Sequence, residues 1–598
     1  MKNKRDFLIA SGIFFFAFLL RFLYMLFLER NYFFYNHPAD DVLYYQTWAD
    51  DIARGNWLGA DVFYGMPLYP YFLSVLKKIS FGAETIVRIF HLLLGSLNCA
   101  LIYLLAQKLF SRSTALLAGL LAATNFMLVY YDWLRLPVVL IIFLSLIATL
   151  VLLQLNLSSR KRDWFYSGII LGMGALCDGK FLIYSIFLLL TLAVWRRNHF
   201  RMAARRILLP MMCGILLVTF TVTLRNKIVG RDWVFISAHS GINFYLGNNP
   251  HADGSFDNPF FLRPFHQGHI DDPKIIAQTS LQKTLAPSQV SRFWSQKAIE
   301  FIRGAPEQYA RLLWKKLVLF FREDEGSFDI DLLLQKPYKK WLDVNSLRII
   351  VPLALLGMAL AVRARQKNSV FLILFIASQL IFTLLFFLIN RHRATILPFL
   401  IISQSYAVVW FTQQIKKQRK SAAMIFCLCF FALFLLLKPK YVKPELIEFI
   451  RSTNEGVIYG EQKDYKKAQE SYRRALRLQP FDVTALYNLG NAYLAANDPL
   501  AAIEVYKKAR RINPLDVDVL FNLATAYEQT QNVPAAVELY QTVIALSPQS
   551  VDAHFRLAEI FKNQGDCQQA FSHYMEILNR RPQLTGEINQ LIANCKMK

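Results

Sequence analysis

The sequence predicts an all-α protein in two parts, a polytopic bundle of about eleven membrane-spanning helices followed by an α-solenoid of 34-residue repeats. Three observations carry this. The 598 residues are 55 % hydrophobic with 49 Phe and only 18 % charged, where soluble domains carry about 25 % charged residues. Apolar windows long enough to cross a bilayer recur through the first 437 residues, and prolines then recur at a fixed spacing in a polar tail. This composition excludes a soluble enzyme, a disordered chain and a fibrous one. The net charge of +25 does not point to nucleic acid, because Lys and Arg gather in short turns between apolar runs, which is a topology signal.

The windows lie at 7–28, 88–107, 113–131, 134–156, 164–178, 181–195, 207–225, 346–362, 369–389, 394–412 and 422–437. The first follows Lys2, Lys4 and Arg5 and reads as an uncleaved signal anchor, too long for a signal-peptide core. Alternation then places 1–6, 107–112, 157–163, 196–206, 363–368 and 413–420 on one side, and these hold 20 Lys and Arg against two acids, Asp6 and Asp163. The positive-inside bias makes that side the cytoplasm, so the N-terminus is expected there. The loops 29–87 and 226–345, the turns at Asp132 and Lys180, the turn Asn390 to Arg393 and everything after about residue 438 fall outside. The expected location is a bacterial inner membrane.

From 438 to 598 Pro480, Pro514, Pro548 and Pro582 stand 34 residues apart, the tetratricopeptide period. The second repeat carries Leu486, Leu489, Gly490, Tyr493, Ala502, Tyr506 and Ala509; its small residues let two antiparallel helices approach and its aromatics fill the gap. Gly456 and Tyr472, Ala524 and Tyr540, and Ala558 and Tyr574 repeat the pattern, and 584–596 is expected to cap the stack. Such an array presents a concave surface for a peptide or partner protein, or serves as a spacer or an assembly module. Five of the seven Cys lie in apolar windows; the other two, Cys567 and Cys595, are candidates for a disulfide on an oxidising side.

After the first window comes Asn36-His37-Pro38-Ala39-Asp40-Asp41-Val42-Leu43-Tyr44-Tyr45-Gln46-Thr47-Trp48-Ala49, and later Pro67-Leu68-Tyr69-Pro70-Tyr71-Phe72-Leu73. Val42 to Ala53 has helical spacing with an apolar interfacial face, which sets Asp40 and Asp41 at its N-terminus, where a carboxylate also serves as a cap. Two further segments fall on the same expected side: Gly241-Ile242-Asn243-Phe244-Tyr245-Leu246-Gly247-Asn248-Asn249, and Asn390-Arg391-His392-Arg393-Ala394-Thr395-Ile396-Leu397-Pro398. In order on one face, the three resemble the polytopic GT-C glycosyltransferases, the class of the protein O-mannosyltransferases and the bacterial lipid A aminoarabinose transferase. The resemblance covers about residues 1–437, and the added repeats resemble those of tetratricopeptide-containing O-mannosyltransferases.

The resemblance implies a GT-C bundle and a polyprenyl-phosphate-linked sugar as donor substrate, with a protein, lipid or glycan as acceptor and membrane lipid around the bundle. Displacing a sugar from phosphate requires a base for the acceptor hydroxyl and cations for the leaving phosphate. The catalytic acid aligns with Asp41, or with Asp40 if the pair is read one residue earlier. Arg391, His392, Arg393 and Lys180 are the expected donor-phosphate group; Lys180 sits in Cys177-Asp178-Gly179-Lys180, which departs from the family's basic-proline turn. Arg21 inside the first window is either functional or snorkels outward, Asp132 is either a supporting residue or a cap, and Glu325 either matches a family acid or sits in a solvated loop. Asn243 and Asn248 are further supporting candidates. No cofactor is required by this reading; His37 with Asp40 and Asp41 is a thin set for a divalent cation. Two other functions fit an apolar bundle with outer repeats, an O-antigen-ligase-like oligosaccharyltransferase and a membrane-anchored scaffold or transporter. The acid after the first helix argues against the former, and a scarcity of charged groups at mid-membrane against the latter.

Overall fold

The computed structural model describes the chain apart from Met1 and residues 37–39, 157, 196–201, 203, 257–265, 323–344, 438–442, 549, 581–584 and 597–598. It forms two compact units, Met1–Tyr441 and Val442–Lys598. Among the described residues the regular elements are helices, with one isolated β-bridge between Ser255 and Leu388.

The first unit runs α1 (Lys2–Asn31), α2 (Asp40–Ala53), α3 (Leu68–Ile79), α4 (Glu84–Leu109), α5 (Arg112–Ala123), α6 (Phe126–Trp133), α7 (Val138–Leu152), α8 (Lys161–Cys177), α9 (Lys180–Trp195), α10 (Leu209–Val229), α11 (Ser240–Gly247), α12 (His266–Leu281), α13 (Pro287–Gly304), α14 (Pro306–Phe321), α15 (Leu347–Arg363), α16 (Val370–Leu385), α17 (Asn390–Lys416) and α18 (Lys420–Leu436). The apolar windows fall mostly on helix, while fewer than the expected eleven full-length spans stand among the described residues. Among the described residues five helical stretches are long and apolar enough, by length and composition, to cross a membrane: Lys4–Asn31, Glu84–Leu109, Ala204–Val229, Lys367–Leu385 and Asn390–Lys416. A sixth arises if α6 and α7, which meet at 115°, form one broken span. The shortfall has local causes. Window 113–131 is interrupted at Asn125, whose side chain accepts from the Leu128 N–H at 3.2 Å and so starts a new helix. Pro137 delays the next until Val138. Helices α9, α15 and α18 are only 16 or 17 residues long, against roughly 20 for a full crossing.

Inside this unit Arg21 and Asp132 pair with each other. The Arg21 Nε donates to Asp132 Oδ2 at 2.7 Å with both side chains buried, and its other nitrogens reach the Ala123 carbonyl and Cys99 Sγ. Gly95 on α4 makes the room, since a Cβ there would stand 2.2 Å from the Asp132 carboxylate. The pair thus ties α1, α4 and α6 together. Arg21→Met, which strands Asp132, is expected to destabilise the bundle by about 3–5 kcal/mol, and adding Asp132→Leu to recover much of that loss. Thermal unfolding in detergent checks this; equal melting of Arg21→Met and wild type would remove the structural role.

The second unit is a stack of helix pairs: α19 (Pro444–Glu461) and α20 (Tyr465–Leu478), α21 (Val483–Ala495) and α22 (Pro499–Ile512), α23 (Val517–Gln529) and α24 (Val533–Leu546), α25 (Val551–Asn563) and α26 (Cys567–Arg580), closed by α27 (Thr585–Lys596). Asp464, Asp482, Asp498, Asp516, Asn532 and Ser550 each cap a helix by accepting an amide three residues on. Tyr472, Tyr506, Tyr540 and Tyr574 fill one continuous core from repeat to repeat, the second against Gly490, where a Cβ would stand 2.4 Å from the Tyr506 ring. Cys567 is disulfide-bonded; the side chain of Cys595, the partner expected for it, and Pro582 lie outside the described residues.

Candidate active site

Four stretches far apart in sequence build one cavity. Helix α2 buries Val42, Ala49 and Ile52, which leaves Asp41 in its first turn and Tyr44 and Tyr45 one turn on. The Tyr44 and Tyr45 rings stand 5.2 Å apart, and Tyr45 meets Tyr69 of α3 edge-on at 5.2 Å. Asn226, buried near the end of α10, supplies the second stretch. Its amide donates to the carbonyls of Val234 and Ile236 at 3.1 Å each, and its oxygen accepts from the Phe63 N–H at 3.1 Å. The Ala238 N–H donates to the Phe63 carbonyl at 2.9 Å, so residues 63–66 and 236–239 are held side by side. The His239 Nδ1 bonds to the Tyr64 carbonyl, and the Tyr64 hydroxyl donates to the His269 carbonyl of α12 at 2.5 Å. The last stretch is the start of α17. The Leu388 N–H donates to the Gly254 carbonyl at 3.0 Å and the Phe256 N–H to the Leu388 carbonyl at 3.3 Å, which sets Phe256 and Phe387 together at 5.1 Å.

At the centre the Arg391 guanidinium forms an ion pair with the Asp41 carboxylate across 350 positions of sequence, both half-buried. The cavity around them measures about 180 Å³ and is walled by Tyr44, Tyr45, Tyr64, His239, Asn243, Phe256, His269 and Phe387. Burial pushes the Tyr44 hydroxyl upward, and the Tyr45 and Tyr64 hydroxyls with it, so all three stay neutral donors. Burial holds His239 below its usual range, helped by the nearby Arg391, and does the same to His269 against the opposing pull of Asp41 and Asp272. Among the described residues the fixed charges in this aromatic cavity are therefore one carboxylate and one guanidinium, an acceptor for a proton beside a fork for an anion.

The other expected residues distribute themselves differently. Arg393, two positions along α17, is turned away: it is buried and donates to Asn390 Oδ1 at 2.8 Å and to the Leu319 carbonyl of α14 at 2.7 Å. His392 is half-buried against the rings of Phe382 and Phe387. Lys180 is buried 2.9 Å from the Asp178 carboxylate and over the Phe382 ring. Asn243 lines the cavity, whereas Asn248 donates to the carbonyls of Phe244 and Leu385 and accepts from Lys316 Nζ at 2.9 Å. Burial lowers the Lys316 amine to about 7, and no sequence pattern singled it out. Arg21 and Asp132 engage each other rather than this cavity. His37, the side chain of Asp40 and Glu325 lie outside the described residues. Among those described, no group of three His, Cys, Asp or Glu is placed to hold a metal ion. His239 sits inside the Ser-Ala-His-Ser-Gly segment and was open to notice; His269 belongs to a stretch without a motif.

Residues 65–245 match the family model for dolichyl-phosphate-mannose-protein mannosyltransferases. This stretch is similar to that family. It spans Gly65, His239 and Asn243 of the cavity walls, while Asp41 and Arg391 fall to either side of it. Two tetratricopeptide models match the tail, one at 453–517 and 521–584 and the other at 493–543, so the match to the mannosyltransferase model is followed by tetratricopeptide repeats in one chain. No curated protein matches the chain. Among solved structures, the crystal structure of MamA protein is similar at 22 % identity over 25 % of this chain and 87 % of its own, with a TM-score of 0.23. YrrB, described as a TPR protein with an unusual peptide-binding site, is similar at 15 % identity over 31 % of this chain and 89 % of its own, with a TM-score of 0.23.

Proposed function

We propose that the chain is an integral membrane glycosyltransferase that moves a mannose-like sugar from a polyprenyl-phosphate carrier to an acceptor hydroxyl on the extracytoplasmic face. The observation that carries this is the meeting of Asp41 and Arg391 in one aromatic cavity, in a chain whose intervening segment matches the mannosyltransferase model. In the scheme, Arg391 leaves Asp41 to take the donor phosphate through its planar fork. The freed carboxylate accepts the acceptor's proton as its oxygen bonds to the anomeric carbon, and the bond from that carbon to the phosphate oxygen breaks toward Arg391. Tyr44, Tyr45, Phe256 and Phe387 offer apolar ring faces to the sugar and the start of the polyprenyl chain. The scheme assigns no step to a metal ion, so transfer is expected to survive EDTA; loss that Mg²⁺ or Mn²⁺ restores would add a cation to the site.

In this reading the N-terminus lies in the cytoplasm, the membrane is the bacterial inner one, and both the cavity and the repeats face outward. The repeats hold a protein acceptor or a partner. A chain ending at residue 441, the limit of the first compact unit, is then expected to keep donor hydrolysis and lose most transfer to protein. Undiminished transfer to protein by that shortened chain would leave the repeats no part in acceptor recruitment. The site itself is tested by the substitutions argued in the Discussion.

A further inference from the structure

A second cavity, sharing no residue with the first, opens at the opposite, basic end of the bundle. It measures about 490 Å³ and lies where α7 and α9 end and where α8, α10 and α16 begin. Its floor is apolar and buried, with Trp164, Leu192, Ile207 and Phe371, and its rim is polar and exposed, with Lys367 and Asn368. This size and lining belong to sites for small amphipathic ligands.

Three features specify the headgroup. Trp164 is 3 % exposed, and its indole N–H has no hydrogen-bond partner among the described residues. A buried donor of this kind costs free energy unless an acceptor satisfies it. Helices α8 and α16 both begin here, and the positive end of each helix dipole favours an anion. Arg205 and Arg206 directly precede Ile207, and Arg363 and Arg365 precede Lys367. The acid on this end of α8, Asp163, is already engaged by the Arg160 amide and by Arg162.

We propose that this cavity binds one anionic glycerophospholipid from the surrounding leaflet, with its phosphate at Lys367 and the Trp164 N–H and an acyl chain over Leu192, Ile207 and Phe371. Basic recesses between spanning helices on the cytoplasmic side are suited to anionic lipid headgroups. The inference uses the reading of this unit as membrane-embedded and is independent of the transfer chemistry.

The test is native mass spectrometry of the full chain in detergent, titrated with phosphatidylglycerol, phosphatidylcholine or inorganic phosphate. Wild type is expected to retain one phosphatidylglycerol in preference to phosphatidylcholine, and millimolar inorganic phosphate is expected not to displace it. Trp164→Phe, which keeps the ring and removes the N–H, and Lys367→Gln are each expected to weaken phosphatidylglycerol retention by roughly tenfold, the effect of one hydrogen bond to a charged group. No preference for phosphatidylglycerol in wild type would overturn the proposal without reference to any variant. So would displacement by inorganic phosphate, or wild-type retention by both variants.

Discussion

Asp41→Asn is expected to lower the rate of sugar transfer by about two to four orders of magnitude at saturating donor, the usual contribution of a positioned general base. Asparagine keeps the shape of the side chain and its place in the first turn of α2, so the fold and the cavity should persist. Affinity for the donor should hold or tighten, because the Asp41 carboxylate pairs with Arg391 and competes with the donor phosphate for it. A fall in kcat with an unchanged or lower KM for the donor is therefore the signature, read from initial rates across donor concentration. Asp40→Asn serves as the comparison; a loss confined to Asp40 would move the base by one residue.

Arg391→Ala is expected to cost about two to three orders of magnitude in kcat/KM, the range for removing one preorganised group that meets developing negative charge. Arg391→Lys should restore only part of this, since an ammonium lacks the planar fork that binds phosphate at two points. Arg393 provides the contrast. Its guanidinium is committed to Asn390 and the Leu319 carbonyl, so Arg393→Ala should lower thermal stability while rates per folded molecule stay near wild type. Comparable losses of kcat/KM per folded molecule for both arginines would contradict this division of roles between them.

The resemblance between these two arginines in sequence and their divergence in structure shows where sequence reasoning stops. Residues two apart on a helix point about 200° apart, so only one of the pair can face the cavity; a motif reading of Arg-His-Arg takes them together. The acid and the arginine were both legible, but their pairing across 350 positions depends on how α2 and α17 converge. The walls were less legible because Tyr64 and His269 reach the site through the backbone bonds of loops, and no residue spacing encodes those bonds. In the bundle, the apolar stretches that hydropathy marked fall mostly on helix. Asn125 and Pro137 break helices without lowering the hydropathy around them much, so hydropathy does not mark those helix ends. The repeats were the most legible part. Their packing is local, so one period specifies the caps at Asp482 and Asp516 and the buried rings at Tyr506 and Tyr540.

The most direct measurement is release or transfer of labelled sugar from mannosyl-phosphoryl-polyprenol by the purified full chain in liposomes, set beside the Asp41→Asn/Arg391→Ala double variant at matched protein. The account predicts turnover by wild type and a rate at background for the double variant, with both proteins unfolding cooperatively. Turnover by the double variant at the wild-type rate would contradict the site. No turnover of this or other polyprenyl-phosphate sugars by folded wild type would contradict the proposed activity.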